Sequence, residues 1–222
     1  MKARLFICVA AASLLAGCGQ LQQALPESAA PPPPAAPAAP AGSAADLLAQ
    51  LQIQPEDTGA HYDRDDWLTD WASDGACTTR ETVLRQQGQG VAVDEQCRPV
   101  AGTWHSGYDG VTTSDPGELE IDHVVALAEV ARSGPVVDGR RQRPGDWPPA
   151  QREAYANDLA GLVAVTGSSN SAKSDEDPAT WLPSEDPCAY VTLWVQVKKK
   201  YNLSVDQAEH DAIASVLASC PK

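Results

Sequence analysis

Asp122 and His123 are neighbours at the end of the apolar run 119–121, and their types suit one kind of chemistry. A neutral imidazole, whose ordinary pKa is near 6.5, can accept a proton from water at physiological pH. A carboxylate oxygen binds hard divalent cations such as Mg²⁺. A base beside a metal ligand is what hydrolysis of a phosphodiester requires.

A second polar group follows the strand-like run 162–166, in the segment 167–173. Asn170 offers an amide oxygen, which can share a cation with Asp122 and leave most of a Mg²⁺ shell to water and substrate. Lys173 offers an ammonium group for a phosphate. The four residues therefore predict metal-assisted phosphodiester cleavage, with His123 as the general base.

These residues require a strand that ends at the pair. Neighbours in a regular strand point to opposite faces, so Asp122 and His123 share one site only if the strand ends or twists there. The overall pattern predicts an α+β domain in which a small antiparallel hairpin carries the site and helices brace it. Helices are expected over 46–53, 63–73, 79–86, 124–133, 148–157, 189–201 and 204–219, and strands over 98–104, 118–123 and 161–166. The segment 134–147 is expected to be a surface loop with some helix.

The N-terminus has the pattern of a bacterial export signal. Lys2 and Arg4 precede an apolar stretch that is too short to span a membrane in the mature protein. The stretch ends in Leu15-Ala16-Gly17-Cys18, which resembles the lipobox of bacterial lipoproteins. That resemblance implies cleavage after residue 17, a lipid on Cys18 and anchoring to a bacterial membrane outside the cytoplasm. Ordinary secretion with cleavage near Ala16 is the alternative.

Residues 18–45 are predicted to be a lipidated tether. The chain from 26 to 45 is nearly all Ala and Pro, which cannot bury enough apolar surface to fold and favours an extended spacer. Residues 1–17 are then the signal peptide, and 46–222 form one domain of ordinary size.

Four cysteines remain outside the signal peptide, and an exported domain permits disulfides between them. Of the three possible pairings we favour Cys77–Cys97 and Cys188–Cys220. The second pair begins and closes two successive helical patterns, which meet if the helices fold back as a hairpin. We expect Ser204 and Gln207 to form the capping box of the last helix. No cysteine pair has the spacing of a zinc knuckle.

The formal net charge of −14 bears on the class of function. It argues against a protein that coats nucleic acid through a broad basic face. It is compatible with an enzyme that meets phosphates through a metal and a few cations, among which is Arg80. The lysine run 198–200 is predicted to be a solvated helix end, favourably placed against the helix dipole.

Several segments together resemble the HNH (ββα-metal) endonucleases. More narrowly, they resemble exported proteins related to the C-terminal domain of GmrSD restriction enzymes. The match runs from about Tyr62 to Cys220. The segments that carry it are Cys77-Thr78-Thr79-Arg80-Glu81, Gly102-Thr103-Trp104, Tyr108-Asp109-Gly110, Leu119-Glu120-Ile121-Asp122-His123-Val124, Tyr155-Ala156-Asn157-Asp158-Leu159, Leu162-Val163-Ala164-Val165, Asn170-Ser171-Ala172-Lys173 and Asp177-Pro178-Ala179-Thr180-Trp181-Leu182-Pro183.

The resemblance implies roles for single residues. His123 is the implied general base, Asp122 and Asn170 are implied metal ligands, and Lys173 is placed near the substrate phosphate. The family usually carries an asparagine in the second strand that helps to orient the histidine, and Gly161 stands at that position here. Asn157, or backbone carbonyls, would have to supply this support.

Two further residues are candidates for substrate contact. Arg80 can pair with Glu118, with Asp122 or with a phosphate. Of the six tryptophans, Trp104 is the candidate for stacking on a base, whereas most of the others fit core packing.

The leading interpretation is an exported, lipid-anchored HNH endonuclease that cleaves nucleic acid, DNA foremost, with Mg²⁺ or alternatively Mn²⁺. No helix-turn-helix or zinc finger is present, so little sequence specificity is expected, and no protein partner is inferred. The alternative is a weakly active or inactive nuclease-fold lipoprotein that binds or scaffolds. An acyl or ester hydrolase is disfavoured because no Gly-x-Ser-x-Gly elbow is present.

Overall fold

The structure is a computed structural model, and it describes residues 42–221. Its strands form small antiparallel sheets beside the helices, which is the α+β arrangement that was expected. The helices are α1 (Ala44–Leu48), α2 (Thr79–Gln87), α3 (Leu127–Arg132), α4 (Pro149–Ala156), α5 (Gly167–Lys173), α6 (Pro187–Lys200) and α7 (Gln207–Ser219). The strands are β1 (Ser73–Asp74), β2 (Cys77–Thr78), β3 (Gln89–Val93), β4 (Pro99–His105), β5 (Thr112–Thr113), β6 (Leu119–His123), β7 (Val136–Val137), β8 (Arg140–Arg141) and β9 (Leu162–Thr166).

Strands β6 and β9 form an antiparallel pair that carries the predicted site. Leu119 pairs with Thr166, and His123 pairs with Leu162 at the other end. On one face of the pair, Leu119 and Leu162 pack in a small cluster with Trp104 and with Val83 of α2. Helix α5 follows β9 directly, whereas α3, β7, β8 and α4 lie between β6 and β9 in the chain.

Helix α6 contributes the most buried residues to the main core, and α7 packs against it. Tyr190, Val191 and Trp194 of α6 are buried, and Ile213 of α7 packs among them. Both predicted disulfides are present: Cys188–Cys220 joins the start of α6 to the end of α7, and Cys77–Cys97 joins β2 to the turn before β4. The pairing derived from the helical hairpin is therefore confirmed.

A buried ionic network joins α3, α6 and α7, and it corrects the prediction of a solvated lysine run. The Lys198 ammonium is fully buried and contacts the carboxylates of Glu129 and Glu209. It also donates to the Ser204 carbonyl at 3.0 Å. Lys198 faces the core, where carboxylates of α3 and α7 surround its ammonium, whereas Lys199 beside it remains half-exposed.

Two segments differ from the expected elements. Only a short 3-10 turn, Arg64–Asp66, forms within 63–73, because the chain leaves helical geometry and Ala72 N bonds to the Asn157 side chain at 2.9 Å. Residues 167–173, expected to be a polar loop, form α5. The Thr166 side chain caps this helix by accepting from Ser169 N, and that contact overrides its Ser- and Gly-rich composition.

Two smaller expectations also change. The capping box of α7 consists of Asp206 and Glu209 rather than Ser204 and Gln207, so the helix begins three residues later than expected. The segment 134–147 contains the hairpin β7–β8 and a 3-10 turn, Pro144–Asp146. Within residues 42–221, no helix is long and apolar enough to cross a membrane.

Candidate active site

Strand β6 ends at His123, and this brings Asp122 and His123 to the same surface. Both residues line two grooves, of about 380 and 320 Å³, and Asn170 and Arg64 line both grooves as well. The strand end therefore resolves the geometric difficulty of neighbouring residues with opposite side chains. The structure brings three of the predicted site residues, Asp122, His123 and Asn170, to one surface.

The imidazole of His123 is held in one tautomer. Its Nε2 lies 2.8 Å from the Ala156 carbonyl oxygen, which can only accept, so Nε2 donates and Nδ1 carries the lone pair. No group within residues 42–221 donates to Nδ1. Burial lowers the pKa of His123 from 6.5 to about 4, with Lys173 acting in the same direction and the Ala156 carbonyl against it. The ring is therefore a neutral base at physiological pH.

The carboxylate of Asp122 is buried and has two partners. Lys173 Nζ donates to Oδ1 at 3.0 Å, and the Tyr108 hydroxyl donates to Oδ2 at 2.6 Å. Burial raises the pKa of Asp122 above its usual range, although Lys173 and Tyr108 oppose the shift. Lys173 Nζ also lies 3.0 Å from Oδ2, so the ammonium contacts both oxygens of the carboxylate.

Lys173 does not lie where the prediction of a phosphate contact would place it. Its side chain is 0% exposed, and its ammonium is shared between Asp122 and the His123 carbonyl oxygen at 3.0 Å. The last turn of α5 carries it under the end of β6, because α5 packs against both site strands. The prediction that Lys173 contacts a substrate phosphate is therefore wrong in this structure. Its buried ammonium instead balances the charge of the Asp122 carboxylate.

Asn170 is oriented by a residue that the sequence reasoning missed. Its Nδ2 donates to Glu120 Oε2 at 2.7 Å, which turns Oδ1 away from that bond. Glu120 lies two residues before Asp122, on the same face of β6. It lines the groove of about 320 Å³ together with Asp122 and Asn170, hereafter simply the groove. Alternation along the strand was the signal that could have identified Glu120.

The oxygen atoms of the residues that line this groove are of the type that hard divalent cations prefer. Asp122, Asn170 and Glu120 offer carboxylate and amide oxygens at one surface, without sulfur or a second imidazole. Such a donor set suits Mg²⁺ or Mn²⁺, which retain several waters when bound by few protein ligands. Asp122 and Asn170 therefore stay the predicted ligands, with Glu120 beside them.

Arginines flank the groove. Arg80 Nη2 donates to the carbonyls of Pro116 and Leu119, at 3.1 and 3.0 Å, so it pairs with neither Glu118 nor Asp122. Arg80 still lines the groove, as does Arg64, which is exposed. Arg64 was missed because it lies within the acidic run Asp63-Arg64-Asp65-Asp66.

The remaining two candidates lie away from the groove surface. Trp104 is only 1% exposed, and its Nε1 donates to the Leu84 carbonyl at 2.7 Å, so the prediction that it stacks on substrate is wrong. Asn157 does not contact His123; its Oδ1 accepts from Ala72 N and from the Thr79 hydroxyl. Trp71 and Tyr155 contact the imidazole instead.

The low pKa of His123 predicts a pH effect on stability. Above pH 6.5 the ring is neutral in both states. As the pH falls from 6.5 to 4 only the unfolded chain gains the proton, so the free energy of unfolding should fall by at most about 3 kcal/mol. Urea unfolding in EDTA between pH 6.5 and 4 measures this free energy. The His123→Gln variant should lack this component, and identical pH profiles for the two proteins would contradict the assignment.

Comparison with known proteins identifies the family. Residues 89–216 match the GmrSD restriction endonucleases, C-terminal domain. A protein of Arthroderma benhamiae (strain ATCC MYA-4681 / CBS 112371), described as an uncharacterized secreted protein, is 39% identical over 198 residues, which cover 86% of this chain and 91% of the relative. No solved structure matches the chain. The chain belongs to the GmrSD C-terminal domain family, which supports a nuclease-like function.

Proposed function

We propose that the chain is a metal-dependent endonuclease of the HNH type that hydrolyses phosphodiester bonds in nucleic acid, with DNA as the main substrate. One observation carries the proposal. A neutral imidazole with an available Nδ1 lies beside an all-oxygen donor set at the end of one β-strand pair. The family membership, to restriction endonuclease domains, supports the same reaction class.

His123 has the central role in the proposed mechanism. Its Nδ1 takes a proton from the attacking water, while Nε2 remains bonded to the Ala156 carbonyl and keeps the ring in place. The ring is neutral at physiological pH, so it is ready to accept that proton.

Asp122 and Asn170 would hold the divalent cation. When bound, the cation supplies positive charge that stabilises the phosphoryl oxygens and the leaving oxygen. Lys173 and Tyr108 hold the Asp122 carboxylate in position, and Glu120 fixes the Asn170 amide. Arg64 and Arg80 replace Lys173 as the proposed contacts to the substrate backbone, since both line the groove.

The proposal includes export and a lipid anchor. The Lys2 and Arg4 leader and the Leu15-Ala16-Gly17-Cys18 segment motivate it, and the secreted relative supports export. These residues lie outside the described part of the chain. A nuclease outside the cytoplasm would be separated from the chromosome of its own cell.

Cleavage of supercoiled plasmid by the purified full chain tests the proposal. We expect nicked and linear DNA with Mg²⁺ or Mn²⁺ and none with EDTA. Cleavage that EDTA leaves untouched would overturn the metal-dependent mechanism. No cleavage with any divalent cation, on DNA or RNA, would favour the alternative of a binding or scaffolding module, which the net charge of −14 also fits.

The same assay on cell fractions tests the anchor. Activity of the full chain is expected in the membrane fraction. The Cys18→Ala variant should lose the lipid and release the activity from the membrane. Activity that stays in the soluble fraction for both proteins would overturn the lipid anchor and support ordinary secretion.

A further inference from the structure

Two aromatic rings lie nearly parallel to the imidazole of His123. Trp71 lies on one side, with ring centroids 5.6 Å apart and planes inclined by 17°. Tyr155 lies at 6.3 Å, with planes inclined by 13°. Near-parallel rings at these distances are offset stacks, and such stacking restricts rotation of the imidazole. The histidine is thus held in its plane by stacking and along its edge by the Ala156 carbonyl.

Asn157 joins the two supports of the ring. It follows Ala156, whose carbonyl binds His123, and its Oδ1 accepts from the backbone of Ala72, which follows Trp71. The same oxygen accepts from the Thr79 hydroxyl at 2.7 Å, and Nδ2 donates to the Glu153 carbonyl at 3.0 Å. One amide therefore fixes the end of α4, the start of α2 and the segment that carries Trp71.

We propose that Asn157 and Trp71 are positioning residues for His123, acting as a clamp that takes the place of a side chain at Gly161. A Cβ at Gly161 would lie 3.4 Å from Val197 Cγ2, so a side chain there would point toward α6. The Gly161 carbonyl accepts from Val124 N, the residue after His123. Gly161 thus supports the strand end through its backbone, while the clamp orients the imidazole. This inference rests on the proposed function of His123 as base.

The clamp accounts for a buried hydroxyl and for a tryptophan that is only half-buried. Thr79 is buried, and its hydroxyl would lose a partner without Asn157. Trp71 is half-buried, lines the groove and stacks on His123. A core tryptophan would need neither the tether nor the groove position.

The test combines NMR with kinetics. In the wild-type protein at pH 7, ¹⁵N signals of His123 should show a single Nε2-protonated tautomer. In the Asn157→Leu and Trp71→Ala variants we expect a mixture of tautomers. The kcat for DNA cleavage should fall by about 10- to 100-fold while KM stays within about twofold, because small misplacement of a catalytic group costs rate rather than binding.

Conservative variants separate positioning from folding. Asn157→Asp keeps both acceptor contacts and should restore most of kcat and the single tautomer, and Trp71→Phe should do the same through its ring. Gln207→Leu, a polar-to-apolar change at the surface of α7, should alter neither property. If Asn157→Leu does not fold, the Trp71 pair and Thr79→Val supply the comparison.

The outcomes distinguish this inference from the proposed function. An unchanged tautomer and unchanged kcat in folded Asn157→Leu and Trp71→Ala variants would overturn the clamp and leave the nuclease intact. Equal loss in the conservative and disruptive variants would also overturn it. A wild-type protein without cleavage, whose His123 signals still change in the variants, would refute the nuclease while supporting the clamp.

Discussion

Replacing His123 with glutamine is expected to lower the rate of plasmid cleavage by about 10²- to 10⁴-fold, the usual contribution of a general base. Glutamine has an amide N–H that can replace the Nε2 bond to the Ala156 carbonyl, but it has no basic nitrogen at the Nδ1 position. The variant should therefore fold and bind DNA with little change. The loss should appear in the rate constant of the cleavage step, measured in single-turnover reactions with Mg²⁺ in excess.

The matched control is His210→Gln, in α7. His210 contacts Asp211 at 3.1 Å and does not line either groove that contains Asp122. Its variant should cleave at the wild-type rate. Equal rates for wild type and His123→Gln would show that another group activates the water, and the proposed mechanism would then be wrong.

The site pair was predictable because its signals are local. Each signal spans only a few residues. One is a short apolar run followed by Asp122 and His123, and the other is a second apolar run followed by Asn170. The α+β class and the Cys188–Cys220 disulfide followed from helical periodicity, which depends on burial of one face. These features do not require knowledge of distant neighbours.

The burial of each polar residue was not predictable, because burial depends on packing between elements that are distant in the chain. Lys173 and Lys198 read as surface cations, yet both ammonium groups are buried against carboxylates from other elements. Trp104 was expected at the site from its place in the sequence, but it is buried in a cluster with residues of α2. Asn157 and Trp71 are 86 residues apart in the chain, and only the fold joins them, through the bond from Ala72 N to Asn157 and the stack on His123.

Lys173 gives the second large effect that the structure predicts. The Lys173→Met variant keeps the volume and removes the ammonium, which leaves the Asp122 carboxylate buried with only the Tyr108 hydroxyl as partner. Breaking a buried pair by removing one partner costs about 3–5 kcal/mol, because an uncompensated charge stays in the interior. We expect a loss of this size in the free energy of unfolding, measured with urea at pH 7 in EDTA. The half-exposed Lys199→Met change should stay within about 0.5 kcal/mol.

The double variant Asp122→Asn with Lys173→Met decides what Lys173 does. If its role is to neutralise Asp122, removing both charges should recover most of the stability lost in Lys173→Met, and the cycle should show coupling of about 2 kcal/mol or more. Cleavage should remain low, because asparagine at 122 is a weaker cation ligand than a carboxylate. Additive losses would show that Lys173 stabilises the fold mainly through the His123 carbonyl instead. If Lys173→Met alone folds normally but no longer binds DNA, Lys173 contacts the substrate after all. Stability and binding thus separate a buried counter-ion from a phosphate contact, which the residue type alone could not do.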